Sequence, residues 1–347
     1  MKRKIWVPIV LLILVLLALL VLIRGEPLSQ ESVLDLGRVA IDSPVAREFL
    51  GADSIKIRNL HTDYRPSGEL PILGLEAVTD RACREIVEQL VNKYSLDGDV
   101  YYTKDVFALK GQDVAAWVSR SSGAFKMTRT GKSMSEPASI GPIEALQMAL
   151  DHVAKEQLVQ LSDNEELDVL FVSGVKNALV QGDAETPEEE FVSDHYVAFG
   201  RRYKGIPIVG SELVLRLDGS GTVAMIERVW RRIEQFGKVK VRVPGTPIEQ
   251  LIVRNPDFRE RLSDMTVPEG DIHMVSQQCG LLEAPADFRQ EELRPGCMVA
   301  FRLGEGHDEG LSQLFLSLET NVSRDRLLGR RLADTVAPAA SSSSPEP

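Results

Sequence analysis

The sequence predicts an α+β protein, with helices packed on antiparallel sheets behind an apolar N-terminal span. Three observations carry this reading. Apolar residues recur at i, i+3 and i+4 over residues 79–94 and 142–153, the stripe of a helix with one buried face. Leu213, Leu215 and Leu217 alternate with Val214 and Arg216, the pattern of a half-buried strand. Asp218-Gly219-Ser220-Gly221 then separates that strand from Thr222–Arg231, as a hairpin turn does.

At 347 residues the chain is long enough for two or three domains, and its 44% hydrophobic and 26% charged content is that of a globular protein. The net charge is −11, and Lys2, Arg3, Lys4 and Arg24 are the only charges in residues 1–25, so the body is more acidic still. That argues against nucleic acid or anionic lipid as a general partner, since both need phosphate neutralisation by clustered Lys and Arg.

Residues 1–25 are read as a cytoplasmic tip and a transmembrane anchor. Ile5–Ile23 is an uninterrupted apolar run, about 28 Å long as a helix against a bilayer core of about 30 Å. The Lys2–Lys4 cluster places the N-terminus inside and the body outside the cytoplasm. The competing reading is a cleaved signal peptide, which the long run and the absence of a small-x-small cleavage site after it disfavour.

Residues 26–74 are read as a tether and irregular segment ending in a Pro/Gly-rich loop, Arg65–Gly74. The first helix-plus-sheet unit is 75–135. Thr79 is its N-cap; Ala82, Cys83, Ile86, Val87, Leu90, Val91 and Tyr94 make the helix stripe. Strands are expected at Val100–Leu109, Val114–Arg120 and Ala124–Thr130. The second unit, 136–240, opens with Pro142 in a first helical turn, and Ile143, Leu146, Leu150 and Val153 form the buried stripe. Strands follow at Glu166–Phe171, at His195–Tyr203, from after Ile206-Pro207 through Leu217, and at Thr222–Arg231, with an acidic loop at Gln181–Glu190. The third unit, 241–330, opens with a Thr246-Pro247-Ile248-Glu249 capping box. Its strands are expected at Asp271–Gly280, Gly296–Leu303 and Leu311–Leu318, and 331–347 form a disordered tail.

Cys83 lies on the apolar face of the first helix as a small buried hydrophobe. Cys279 and Cys297 fall in two segments read as neighbouring strands, and outside the cytoplasm they are expected to pair. No metal or cofactor is expected, because two cysteines without a histidine at ligand spacing do not make a zinc site. His152 and Glu156 stand at i, i+4 without the second histidine of an HExxH motif, and no GxSxG or phosphate-binding glycine loop is present. His195, Arg201, Arg202, Arg231 and Arg232 flank the central hairpin, where strand-end arginines are read as solvated surface. The expectation is a non-catalytic protein, with an enzyme of unrecognised type left open.

The stretch YKGIPIVGSELVLRLDGSGTV resembles a segment shared by fungalysin/thermolysin propeptides, PepSY domains and YycI-type (YycH/YycI) membrane regulatory proteins. In that pattern an aromatic residue, Gly, a β-branched residue, Pro and a second Gly precede a strand and a D-x-x-G turn. Here these are Tyr203, Gly205, Ile206, Pro207 and Gly210, then Asp218 and Gly221. The family's usual Gln before the aromatic is replaced by Arg201-Arg202. Towards the C-terminus, Gly280-Leu281-Leu282 stands where YycI-type proteins have Gly and two aromatics, while Leu293, Pro295 and Val299 keep the later pattern. The resemblance covers about 142–318, with 75–130 a looser copy. It implies tandem cystatin-like units and a partner in the membrane. That partner is a sensor histidine kinase on the YycI-like reading, or a peptidase that is inhibited or chaperoned on the PepSY-like one.

Overall fold

A computed structural model of the chain describes residues 55–57, 64, 66–129, 136–179, 189–243, 251–252, 255, 272–303, 311–319 and 322–331. The Ile5–Ile23 span, the Thr246–Glu249 capping box and the tail after Arg331 lie outside the described residues. Among the described residues no helix is long and apolar enough to cross a membrane.

Alternating sequence becomes sheet almost throughout. In chain order the elements are β1 (Ile55–Ile57), β2 (Gly68–Leu75), α1 (Asp80–Tyr94), β3 (Asp99–Tyr102), β4 (Val106–Lys110), β5 (Val114–Ser119) and β6 (Phe125–Arg129). There follow α2 (Pro142–Lys155), β7 (Glu165–Leu179), β8 (Glu189–Tyr203), β9 (Ile206–Leu217), β10 (Val223–Val229) and β11 (Ile233–Val243). The last are β12 (Ile272–Leu282), β13 (Phe288–Arg289), β14 (Glu292–Leu303), β15 (Leu311–Ser317), α3 (Arg324–Leu328) and β16 (Arg330–Arg331). The protein is α+β and its strand pairing is mostly antiparallel; β1 beside β7 and β12 beside β9 are parallel.

β3 to β6 form a meander, and β7 to β10 a second one; β10 pairs antiparallel with β6, so the two merge into one surface. Thr79 caps α1 by accepting the Ala82 amide at 3.1 Å, and Ser95 ends it in the left-handed region. Cys83, Val87 and Leu90 of α1 and Leu146, Leu150 and Val153 of α2 enter one continuous core with Phe107, Met127, Phe199, Leu215 and Ile226. Both helices therefore cover the same sheet.

Three expectations are corrected. Ile143 is 50% exposed: Ala145, Ala149 and Ala154 are buried with Leu146, Leu150 and Val153, which turns the packed face of α2 and leaves Ile143 at its margin. Val100–Leu109 is two strands, because the Thr103 hydroxyl accepts the amides of Asp105 (3.2 Å) and Val106 (3.0 Å) and folds a turn without glycine or proline. The Arg65–Gly74 stretch is largely the strand β2, which lies between β11 and β14 in the C-terminal part of the sheet.

In that part β12 and β14 are antiparallel neighbours, with Cys279 directly opposite Cys297. The two are disulfide-bonded, with Cα atoms 4.1 Å apart, in a small core with Val299, Leu314 and Leu316. Cys83 is a buried free thiol, its pKa raised by burial and by the neighbouring Asp80.

Candidate functional site

Tyr203, Gly205, Pro207 and Gly210 gather where the two parts of the sheet join. Tyr203 sits in a core with Leu73, Ile208, Ile233, Leu281 and Leu293. Lys204 and Gly205 both take positive φ, 49° and 77°, the two-residue turn whose twist suits a tight hairpin. After Pro207 the chain runs parallel to β12, with Ile208 opposite Leu281 and Val209 opposite Leu282. Gly210 has φ 88°, and a Cβ there would fall on the Glu283 carbonyl oxygen, so only glycine lets the two backbones meet. At the far end of β9 the Asp218 carboxylate accepts the Ser220 and Thr222 amides, both at 2.9 Å, and the Asp218 carbonyl accepts the Gly221 amide at 2.8 Å. These residues shape the turn and the seam.

Behind the seam lies a buried charge cluster. Arg201 donates to Ser211 Oγ (2.7 Å), Glu165 Oε1 (2.9 Å), Glu283 Oε2 (2.7 Å) and the Arg231 carbonyl (2.8 Å). Its guanidinium lies 4.8 Å from the Trp230 ring centre. Arg231 gives its amide to Glu283 Oε1 (2.7 Å), and its guanidinium reaches the carbonyls of Ala284, Pro285 and Phe288 at 2.7, 3.0 and 2.8 Å. Burial pushes the Glu283 carboxyl up, but Arg201 and Arg231 outweigh it and hold the group below the usual carboxylate range. Burial is also the main force on Arg231 and lowers its pKa, against the pull of Glu283.

The expectation of solvated arginines is thus corrected for three of them. Arg201 and Arg231 are each 2% exposed and Arg202 8%, with Arg202 bound to Asp168 at 2.5 Å; Arg232 alone is exposed. Such burial requires carboxylate partners, since an unpaired buried charge is too costly. Period two carried the signal: Arg201 falls on the face of Val197, Phe199 and Tyr203, and Glu283 continues the inward series Cys279, Leu281. The loop after Glu283 also holds the first meander, because Ser119, Ser121 and Ser122 all donate to the Ala286 carbonyl, at 2.6, 2.8 and 2.7 Å. With both Glu283 oxygens bonded, the cluster is a cross-brace rather than a proton acceptor.

His195 and His152 are likewise packed. His195 Nε2 meets the Ile140 carbonyl at 2.9 Å. His152 Nε2 lies 3.0 Å from the Tyr94 hydroxyl, joining the ends of α1 and α2; burial lowers the histidine's pKa and raises the tyrosine's. Among the described residues no group of three His, Cys, Asp or Glu is placed to hold a metal.

Open chemistry is found at the opposite rim of the sheet. β3 ends the strand order, and among the described residues nothing pairs with its outer side. Val100, Tyr101 and Tyr102 are exposed, Tyr101 by 50% and Tyr102 by 64%. Between β3 and α1 runs a groove of about 320 Å³, floored by Val87, Val91, Val100 and Phe107 and edged by Arg84 and Glu88. Tyr102 meets Phe107 edge-on at 5.3 Å, with Arg84 5.9 Å from the tyrosine ring centre. Large apolar side chains at an accessible sheet edge suit a protein partner.

No family model matches this chain, and no curated protein does. Among solved structures, an uncharacterized protein from Eubacterium rectale ATCC 33656 aligns over 78% of this chain and 90% of its own. Its identity is 12% and the TM-score 0.37, a likeness that carries no argument.

Proposed function

We propose that the chain is a membrane-anchored, extracytoplasmic binding protein without catalytic chemistry of its own, acting on a membrane partner, with a sensor histidine kinase as the leading candidate. The observation that carries the reading is the contrast between an interior charge cluster in which every oxygen of Glu165 and Glu283 is bonded and the exposed apolar edge at β3. The Ile5–Ile23 run and its flanking Lys2–Lys4 support the anchor and its orientation. The helix-on-meander pairs, α1 with β3–β6 and α2 with β7–β10, support tandem cystatin-like units that share a core. Restricting two proteins to one membrane raises their effective concentration, so a small edge suffices for regulation.

Photo-cross-linking from the body in intact membranes, followed by identification of the adducts, tests this. Enrichment of a sensor kinase is the expected result; enrichment of a peptidase would move the reading to peptidase restraint. Substrate turnover by the purified protein, lost on changing one polar residue, would overturn both.

A further inference from the structure

We infer that the open edge of β3 and the groove beside α1 together receive an extended peptide segment of a partner protein, added to the sheet as a further strand. The inference rests on the binding-protein reading and names the form of its ligand. The backbone register selects the form. Thr103 donates its amide to the Val106 carbonyl at 2.9 Å, so Thr103 and Val106 are a hydrogen-bonded pair. Antiparallel pairs alternate between bonded and unbonded, which makes Tyr101–Ala108 and Asp99–Lys110 the bonded ones. The N–H and C=O groups of Val100 and Tyr102 therefore point away from β4 to the open side. Two donors and two acceptors spaced two residues apart match a strand rather than a helix or a small molecule.

The side chains say what the segment carries. Val100 and Tyr102 line the groove, so a strand laid along them projects every second side chain over the same apolar floor. Charge is divided along the helical wall of the groove: Arg84 stands beside Tyr102, and Glu88 follows it one helical turn on. The complementary segment has two bulky apolar residues separated by one, an acid on the side of Arg84 and a base on the side of Glu88.

The test is a display library of random peptides selected on the full chain. Enriched peptides should show the apolar-x-apolar pair between opposite charges. Val100→Pro removes an outward amide while leaving the β3–β4 ladder intact, as proline does on edge strands. It should weaken binding about tenfold, the value of roughly one hydrogen bond, at an unchanged thermal midpoint. Arg84→Glu should exchange the preferred acid for a base, and it decides the matter if the proline variant fails to fold. Peptides without the pattern, or indifferent to both variants, overturn the inference. So does a dimer of the full chain that Val100→Pro dissociates, which would give the edge to a second copy. Peptide binding that appears only after residues 1–54 are removed would give it to the chain itself. A membrane partner cross-linked at another surface would leave the binding-protein reading standing while this inference fails.

Discussion

At the seam, Arg201 and Arg231 direct their donors into carboxylates and carbonyls closed off from water; at the rim, Arg84 and Lys104 stand exposed beside an edge strand. Both places combine arginine, aromatic rings and strand backbone. They differ in whether partners come from within the chain. Glu165 and Glu283 lie far from Arg201 in sequence yet meet it in the fold, so the charges at the seam are answered from within the chain. The rim keeps backbone groups and tyrosines available. The difference separates what the sheet needs to stay joined from what it offers to others.

The sharpest way to break that contrast is at the seam. Arg231→Ala leaves Glu283 buried with one cation fewer and is expected to lose about 3–5 kcal/mol in denaturant unfolding. Tyr101→Ser at the rim should stay within about 0.5 kcal/mol. The seam also predicts acid sensitivity. Because the folded pKa of Glu283 is depressed, its contribution is complete above about pH 4.3 and is lost as pH falls through the folded value. The Arg231→Ala protein should show a shallower acid limb.

Removing the Cys279–Cys297 bond by double alanine substitution is expected to lose about 3 kcal/mol, from the loop of 18-residue separation that it closes. Gly210→Ala should lose about 2 kcal/mol or more, since a positive φ is joined to collision with the Glu283 carbonyl; Gly205→Ala, with a similar φ and open space, should lose about 1 kcal/mol. Equal losses would remove the close approach as the reason for Gly210. The smallest effect is expected at His152. Its folded pKa lies below the unfolded value of about 6.5, so stability falls as pH drops below that value, and His152→Gln should flatten the slope there.

How far the sequence reveals this molecule depends on the range of the interactions. The two helices, the β8–β9 and β9–β10 hairpins and the neighbouring cysteine strands are legible because local periodicity and turn residues determine them. β2 is not: Pro71 and Gly74 interrupt its alternation, and its pairing comes from β11 and β14, more than 150 residues later. The β3–β4 turn hides because a threonine hydroxyl does the work expected of glycine. The arginines mislead for a further reason. Their alternation points inward, but their charge makes burial credible only once Glu165 and Glu283 are known to face them. The rim is the least legible feature, since exposure is a statement about what is not beside β3, and a sequence lists only what is present.

The placement of β2 has a consequence for the order of events during synthesis. A chain made from its N-terminus delivers Gly68–Leu75 early, with Leu70, Ile72, Leu73 and Leu75 all destined for burial, and its neighbours β11 and β14 much later. Until Ile233–Val243 has emerged that strand has no partner, and until Glu292–Leu303 follows its other edge stays open, whereas α1 can fold with β3–β6 at once. The last step of assembly is then the reach of an early segment across the finished meanders to the late ones. Closures over such separations are slow, because chain entropy must be overcome before contacts reward it. A nascent body of this protein waits with an apolar strand uncovered, and a chain cut short before β11 never pairs it.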